Sequence, residues 1–280
     1  MVRFVSVFAG VMALAACNGG AEEGGEPVES PTPVASEDLQ PTAAPSATPL
    51  AERASNGSRS VAEETDDYLF EYSYPAAAGR IDALGTLLDS RLDEQRAALA
   101  RTANEARRQA RSDGFPYNKH SYTAEWKVVA DVPGWVSLSN EFSTYTGGAH
   151  GNFGMESLVW NKDEGRARQA IDLFTSPAAL EEALGDRFCD DLDRQRERKR
   201  GPVEDQPEDG GLFDNCPGME ELTVLVGSSR GRQFDRLTLY AGPYVAGPYA
   251  EGAYQVNLAV DQAVRDAVKP EFRESFASRN

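Results

Sequence analysis

Hydrophobic positions change their spacing along the chain, and each spacing predicts an element. Tyr68–Tyr74 (YLFEYSY) alternates aromatic and polar residues, which predicts a strand. The apolar residues that follow recur at intervals of three, four or seven, with charged residues between them, which predicts a long amphipathic helix packed against a sheet. Its apolar positions are Ile81, Leu84, Leu88, Leu92, Leu99, Ala103, Ala106 and Ala110.

A strand pair follows in SYTAEWKVVADVPGWVSLSNEFSTYT, residues 121–146. Alternate residues on the first strand share a face, and Pro133-Gly134 marks a turn, so the stretch predicts a hairpin. The residues on that face are Tyr122, Ala124, Trp126 and Val128. GMESLVWN, residues 154–161, predicts a third strand, which ends at the turn signal NKDEG.

The last third of the chain predicts further helices and strands. Ser176 and Pro177 have the residue types of a helix N-cap and first position, and one apolar face continues through Leu180, Leu184, Phe188 and Leu192. LTVLVG, FDRLTLYAG and YQVNLAV predict three strands, and Asp261 caps a short helix that stops before Pro270.

This order of elements predicts an α+β fold, an antiparallel sheet packed with one long and one or two shorter helices. The folded region is expected at residues 61–280. Its length suits one domain or two closely packed halves, residues 61–145 and 146–280.

The first seventeen residues are typical of a bacterial lipoprotein signal peptide. Arg3 precedes an apolar run that ends in small residues before Cys17, and the run is shorter than the roughly 20 residues of a spanning helix. We expect a lipid on Cys17 to be the only membrane anchor, with the folded part in the periplasm or outside the cell. A secreted or periplasmic protein without a lipid is the alternative. Residues 18–60 contain six prolines and no aromatic residue, which predicts a disordered tether.

The net charge of −17 limits the possible partners. Removing the signal peptide removes Arg3, so the mature charge becomes −18. Nucleic acid and anionic lipid surfaces are poor partners for such a chain, and a basic protein is favoured. The simpler interpretation is that the acidity keeps an exported protein soluble.

Cysteine and histidine usage restricts the possible chemistry. With Cys17 used for lipid, Cys189 and Cys216 remain as a pair, which predicts a disulfide in an oxidising compartment. With only two histidines and no short cysteine spacing, no metal site or cofactor is expected.

The stretch TYTGGAHGNFG, residues 144–154, carries the most distinctive pattern. We interpret it first as a structural turn, in which the glycines adopt positive φ and His150 bonds to backbone carbonyls. The alternative is a ligand- or protein-contact loop. A weaker alternative makes His150 a general acid or base with Glu141 or Glu156, although no nucleophile motif accompanies it. The loop comprises Tyr145, Thr146, Gly147, Gly148, Ala149, His150 and Gly151.

Tyr244, Tyr249 and Tyr254 lie in a segment rich in glycine and proline. We interpret them first as core and edge residues of a bent strand. The alternative is an aromatic contact surface for sugar or protein.

The GGAHG loop, LVWNKDEG, IDLFTSPAAL and the segment YAGPYVAGPYAEGAYQVNLAVDQAVRDAVKPEF together resemble a bacterial extracytoplasmic domain. It occurs in RsiV-like anti-sigma factors that sense lysozyme and at the N-terminal side of PdaC-like peptidoglycan deacetylases. The resemblance covers roughly residues 67–276. It implies a binding module at the cell envelope that recognises a lysozyme-like protein or peptidoglycan.

Two departures from these families affect what the resemblance implies. Only three residues precede the apolar run, whereas an anti-sigma factor needs a cytoplasmic segment there. A deacetylase needs a further domain with an Asp/His/His metal set, which two histidines cannot supply beside the loop. The alternative function is a glycan-active enzyme of the cell wall, or an accessory subunit, that uses His150.

Overall fold

The computed structural model describes residues 53–201 and 211–279. The expected signal peptide, Cys17 and the tether as far as residue 52 lie outside the described residues. Within these two ranges, no helix has both the length and the apolar character needed to cross a bilayer.

A six-stranded sheet forms the centre of the fold, with its strands side by side in chain order. All neighbours are antiparallel except β2 and β3, which run parallel. The long helix α2 makes the crossover that a parallel pair requires. The elements are β1 (Arg59–Glu64), β2 (Tyr68–Tyr74), α1 (Ala76–Gly79), α2 (Asp82–Asp113), β3 (His120–Val132), β4 (Trp135–Tyr145), β5 (Asn152–Asn161) and β6 (Arg166–Arg168).

A second, three-stranded antiparallel sheet follows in the chain. It is accompanied by the remaining helices. The elements are α3 (Pro177–Leu184), α4 (Arg187–Arg200), β7 (Thr223–Gly227), β8 (Arg236–Ala241), β9 (Tyr254–Ala259) and α5 (Gln262–Ala267). The α+β prediction, with one long helix and shorter ones on antiparallel sheet, is confirmed.

The apolar stripe of α2 packs on one face of the six-stranded sheet, as its spacing predicts. Leu84, Leu88 and Leu92 are fully buried, together with Phe70 and Tyr72 of β2. The helix ends at Gly114, which has a φ of +72° and closes the last turn in the left-handed conformation.

A β-bulge lets β3 contribute to two cores. The register with β4 shifts between Val128 and Ala130, so Val129 is the extra residue. Before the bulge, Ala124 and Trp126 pack in the core under α2. After it, Ala130 and Val132 point to the opposite face and join the core of the three-stranded sheet. The six-stranded sheet therefore buries part of each face.

The helix predicted to run from Ser176 through Leu192 is two helices, which corrects the sequence interpretation. Gly185 ends α3 with a φ of +52°, and α4 begins at Arg187. Apolar residues on both sides of the break still reach one core, which explains the continuous pattern. The predicted N-cap is confirmed, since the Ser176 side chain accepts a bond from the Ala179 amide at 3.0 Å.

The predicted disulfide joins Cys189 in α4 to Cys216, across 27 residues of sequence separation. Beside it, the guanidinium of the buried Arg196 donates to the carbonyl oxygens of Asp214, Asn215 and Ala246. The bridge and Arg196 together hold residues 214–216 against α4.

Two boundaries differ from those expected. Ordered structure begins before residue 61, because Arg53 pairs with Asp89 of α2 and β1 begins at Arg59. The division at residues 145 and 146 separates no structural halves, since β4 and β5 pair across it over ten residue pairs.

Candidate functional site

The loop after β4 is a tight turn with internal hydrogen bonds. Gly147 and Gly148 have φ angles of +94° and +91°, a region that residues with a Cβ rarely adopt. The Tyr145 hydroxyl donates to the Gly148 carbonyl at 3.1 Å. His150 is exposed, with its Nδ1 2.9 Å from the Gly151 carbonyl oxygen. A contact with a carbonyl oxygen requires the proton on Nδ1.

Tyr249, almost a hundred residues later in the chain, completes this turn. Its hydroxyl donates to the Gly151 carbonyl at 2.8 Å, and its ring stacks on the His150 ring with centroids 3.9 Å apart. A side chain at Gly151 would place its Cβ 2.6 Å from the Thr144 carbonyl oxygen. The glycine therefore permits the two ends of the turn, Thr144 and Gly151, to approach each other closely.

Two more aromatic side chains extend this contact into a surface. Phe153 meets Tyr249 edge-on, with ring centroids 5.9 Å apart, and the Tyr244 ring centroid lies 5.8 Å from that of Tyr249. Phe153 and Tyr244 are exposed, Tyr244 by 54%. We call His150, Phe153, Tyr244 and Tyr249 the aromatic patch.

Tyr254 does not belong to the patch. It is buried, and its hydroxyl donates to Glu251, while the Lys199 ammonium lies 3.7 Å from its ring centroid. Burial, and then the hydrogen bond to Glu251, raise the pKa of Tyr254 to about 12. Of the three tyrosines considered from sequence, two lie at the surface beside the loop and the third is a core residue.

An acidic cleft adjoins the patch at Phe153. This cavity of about 650 Å³ lies between the polar face of the six-stranded sheet and the edge of β9. Glu71, Glu125 and Glu141 line it, and no lysine or arginine does. Lys127, just outside, contacts Glu125 at 3.0 Å and Glu141 at 3.1 Å, which leaves two negative charges uncompensated.

The pKa values of two neighbouring groups indicate the negative potential of this cleft. Hydrogen bonds to Glu125 and Glu141 raise the pKa of Lys127. Burial, and then the charge of Glu141, raise the pKa of the Tyr240 hydroxyl, which also lines the cleft. Both groups therefore keep their protons at neutral pH, and the cleft presents carboxylates and hydroxyls.

The two carboxylates considered as partners of His150 point to opposite faces of the sheet. Glu141 pairs with Met155, the neighbour of Glu156, and adjacent strand residues alternate in direction. Glu141 also lies three residues before Thr144, about 10 Å along the strand from the loop. His150 is occupied by Tyr249 and the Gly151 carbonyl. The structure therefore does not bring the proposed acid–base set together.

Across residues 53–201 and 211–279, no group of three or more His, Cys, Asp or Glu side chains is arranged to hold a metal ion. His120 is buried at the start of β3 beside Tyr117, and burial lowers its pKa.

Comparisons with known proteins find one family model and several solved structures similar to this chain. The family model described as "Deacetylase PdaC" matches residues 61–153. Among solved structures, a member of the DUF3298 family from Bacteroides fragilis is 15% identical, with a TM-score of 0.49 over 78% of this chain and 95% of that one. A DUF3298 family protein from Pseudomonas aeruginosa is 17% identical, with a TM-score of 0.41 over 83% and 99%. No curated protein matches the chain.

The matched segment begins in β1 and ends at Phe153 of β5. It includes α2, the acidic floor of the cleft and the GGAHG loop, whereas Tyr244 and Tyr249 lie beyond it. The similarity to this family model therefore covers the first five strands only in part, from residue 61 to residue 153.

Proposed function

We propose that the chain is a binding module of the bacterial cell envelope, anchored through a lipid on Cys17, whose aromatic patch and acidic cleft bind a basic protein. A lysozyme-like protein is the first candidate. The observation that carries the proposal is the contact of the GGAHG loop with Tyr249, because it joins two distant sequence motifs in one exposed surface.

The composition of this surface suits a protein partner. Aromatic side chains are enriched at the centres of protein interfaces, where they bury large areas with little loss of conformational entropy. The adjoining carboxylates complement lysine and arginine, and a net charge of −17 attracts a cationic partner over longer distances. We therefore expect the aromatic patch to supply affinity and the acidic cleft to speed association.

A catalytic function is the second candidate, because the matching family model is described as a deacetylase. His150 is the exposed histidine of the described residues, and an enzyme using it would lose all product formation in His150→Ala. Incubating the purified protein with peptidoglycan, and measuring released acetate and soluble fragments, tests this directly.

The first experiment is calorimetric titration of the purified protein with hen lysozyme at low and high salt. We expect association that weakens as salt rises, because exposed charges are screened. Tyr249→Ala should weaken binding at least tenfold, whereas Phe115→Ala, which removes an exposed aromatic residue outside the aromatic patch, should leave it unchanged. Glu141→Gln should reduce the salt dependence, with the exposed Glu105→Gln on α2 as its control.

Absence of binding at either salt concentration would reject lysozyme as the partner. Equal weakening by Tyr249→Ala and Phe115→Ala would reject the aromatic patch as the interface. If the protein co-sediments with peptidoglycan and does not bind lysozyme, the proposed ligand becomes peptidoglycan, which the family resemblance also implies.

A further inference from the structure

A second cavity, of about 620 Å³, lies beside α2 on the face of the six-stranded sheet that this helix covers. Residues 170–172 and 222–224 border it on the side of β5. We call it the helix-side cleft. Its polar and aromatic lining includes Arg91, Glu94, Tyr122, Trp126, Asn140 and Glu156.

Asn140 contributes a buried hydrogen-bond acceptor without a partner. It shares its direction on β4 with Leu138, which packs under α2, so its side chain points to the cleft. The residue is 1% exposed, and its Nδ2 donates to Glu156 Oε2 at 3.3 Å, which fixes the orientation of the amide. Its Oδ1 has no hydrogen-bond partner among the described residues. Such groups are few in native proteins and cost stability, so this oxygen indicates a ligand with a hydrogen-bond donor.

Carboxylates outnumber cations on the lining of the cleft. Glu94, Glu156 and Asp172 carry three negative charges, whereas Arg91 and Arg168 carry two positive ones. A ligand that is itself negative would therefore be repelled, and a positive ligand would be attracted.

The guanidinium of Arg168 does not offset these carboxylates. Arg168 pairs with Val159 in the sheet, and both side chains point away from α2. Its guanidinium lies 5.2 Å from the Phe272 ring centroid and contacts Glu164, which is outside the cleft. With Arg91 as the remaining cation, the three carboxylates leave the cleft a net charge of −2.

The rings of the cleft favour an organic cation over a metal ion. The guanidinium carbon of Arg91 already lies 5.4 Å from the Trp126 ring centroid, within the range of a cation–π contact. Tyr122 provides a second ring. Burial, followed by the charge of Glu156, raises the pKa of the Tyr122 hydroxyl to about 12. The hydroxyl is therefore neutral at pH 7 and can accept a hydrogen bond from a cation.

We propose that the helix-side cleft binds a small aliphatic diamine, one ammonium group of which donates to Asn140 Oδ1 and Glu156 and packs on the Trp126 ring. Two ammonium groups match the charge of −2 and supply only donors, as the free acceptor requires. The volume lies within the usual range for small-molecule sites. The site is separate from the proposed protein interface, because Asn140 and Glu156 point to the face opposite Glu141.

Arg91 competes with this ligand for the Trp126 ring. Its side chain is 39% exposed, and its 3.7 Å contact with Glu156 is longer than a hydrogen bond. An ammonium that bonds directly to Glu156 and Asn140 displaces the guanidinium toward solvent. Diamine binding therefore changes the surroundings of the Trp126 indole.

The test titrates the purified protein with 1,5-diaminopentane at low salt, by calorimetry and by tryptophan fluorescence. We expect saturation, with concentrations extended to about 10 mM so that a millimolar Kd is reached. Three compounds with the same five-carbon chain are matched controls. Pentane-1,5-diol is neutral and glutarate is negative, so neither should bind. Pentamethonium has both positive charges but no N–H donor, and should bind about tenfold more weakly than the diamine.

Variants locate the site. Glu156→Gln keeps the size of the side chain, removes its charge and should weaken diamine binding about tenfold. Glu141→Gln removes the same charge from the opposite face and should leave the affinity unchanged. Asn140→Ala removes the free acceptor and should also weaken binding about tenfold. Arg91→Ala should tighten binding several-fold because the competing guanidinium is lost, whereas Arg101→Ala, at an exposed position of α2, should not.

No saturation with 1,5-diaminopentane overturns the proposal. Unchanged affinity in Glu156→Gln, or weaker binding in Arg91→Ala, also overturns it, and both variants test the site even if Asn140→Ala does not fold. Equal or tighter binding of the diol or of glutarate overturns the ligand class. Tighter binding of Nα-acetyl-lysine methylamide than of the diamine overturns a free diamine in favour of a lysine side chain. None of these outcomes depends on lysozyme, so the two proposals fail separately.

Discussion

Tyr244 has the most unusual backbone of the described non-glycine residues. Its φ is +67°, and its amide donates to the Gly247 carbonyl at 3.1 Å. The left-handed conformation costs a residue with a Cβ roughly 1–2 kcal/mol, and such strain is concentrated at functional sites. Here the left-handed backbone turns the exposed Tyr244 ring toward Tyr249 and so enlarges the aromatic patch.

Comparing Tyr244→Gly with Tyr244→Ala isolates this backbone cost. Both variants lose the same ring contacts, but only glycine adopts positive φ without steric strain. We expect the glycine variant to be more stable by up to about 1 kcal/mol, the reverse of the order found in helices and strands. Urea unfolding of the two variants measures the difference. An alanine variant of equal or greater stability would mean that Tyr244 is not strained.

Among the elements, α2 is fastened to β1 and β2 through one carboxylate. Asp89 accepts from Arg53 at 2.6 Å, from Arg59 at 2.5 Å and from the Tyr74 hydroxyl at 2.7 Å. Burial alone would raise the pKa of Asp89, but the hydrogen bonds from Tyr74, Arg53 and Arg59 outweigh it and lower the pKa. The carboxylate thus stabilises the fold in its charged form.

Asp89→Asn should lower the free energy of unfolding at pH 7 by about 1–3 kcal/mol, since charged hydrogen bonds are lost. Because the folded pKa lies below the ordinary value of 3.8, this stabilisation is complete above about pH 4 and disappears as the pH falls through the folded pKa. Denaturant unfolding at several pH values should show wild type and variant converging in acid. Asp93→Asn, at an exposed position of α2, should have little effect at any pH.

Local patterns predicted most elements because each has a strong signal of its own. The alternation of Tyr68–Tyr74, the stripe of α2 and the Pro133-Gly134 turn all lie where expected. β1 gave no such signal, since Val61 is its only buried residue. The break at Gly185 was hidden because the apolar spacing continues across it. The parallel pairing of β2 and β3 depends on tertiary packing and has no local pattern.

For the molecule as a whole, the two cores share strands. Val136 and Leu138 of β4 pack under α2, whereas Trp135 of the same strand packs with Phe272 in the other core. If the shared strands separate from one core, the apolar residues of the other core also become exposed. The same long-range packing explains why the sequence could not join His150 to Tyr249: their contact depends on how the second sheet meets the first.

We therefore expect urea to unfold the chain in one transition. Tryptophan fluorescence reports on both cores, because Trp126 and Trp160 lie in one and Trp135 in the other. Its unfolding curve should coincide with the far-UV circular dichroism curve when the disulfide is intact. Separate midpoints would indicate two independently stable halves.

The disulfide should contribute about 3 kcal/mol, the value expected for a loop of its 27-residue separation. Reduction, or the double change Cys189→Ala and Cys216→Ala, should lower the denaturant midpoint accordingly. If the midpoint stays unchanged, the hydrogen bonds from Arg196 alone are enough to hold residues 214–216 against α4.

The extra residue at Val129 also constrains how β3 can vary. In the part of β3 before Val129 the even-numbered residues point to α2. In the part after Val129 they point to the three-stranded sheet. A substitution that keeps the size of a side chain preserves these directions on both sides of Val129. A single insertion or deletion anywhere in the strand would exchange inward and outward residues on one side. Relatives with the same pair of cores are therefore expected to differ in the composition of this strand and to agree in its length.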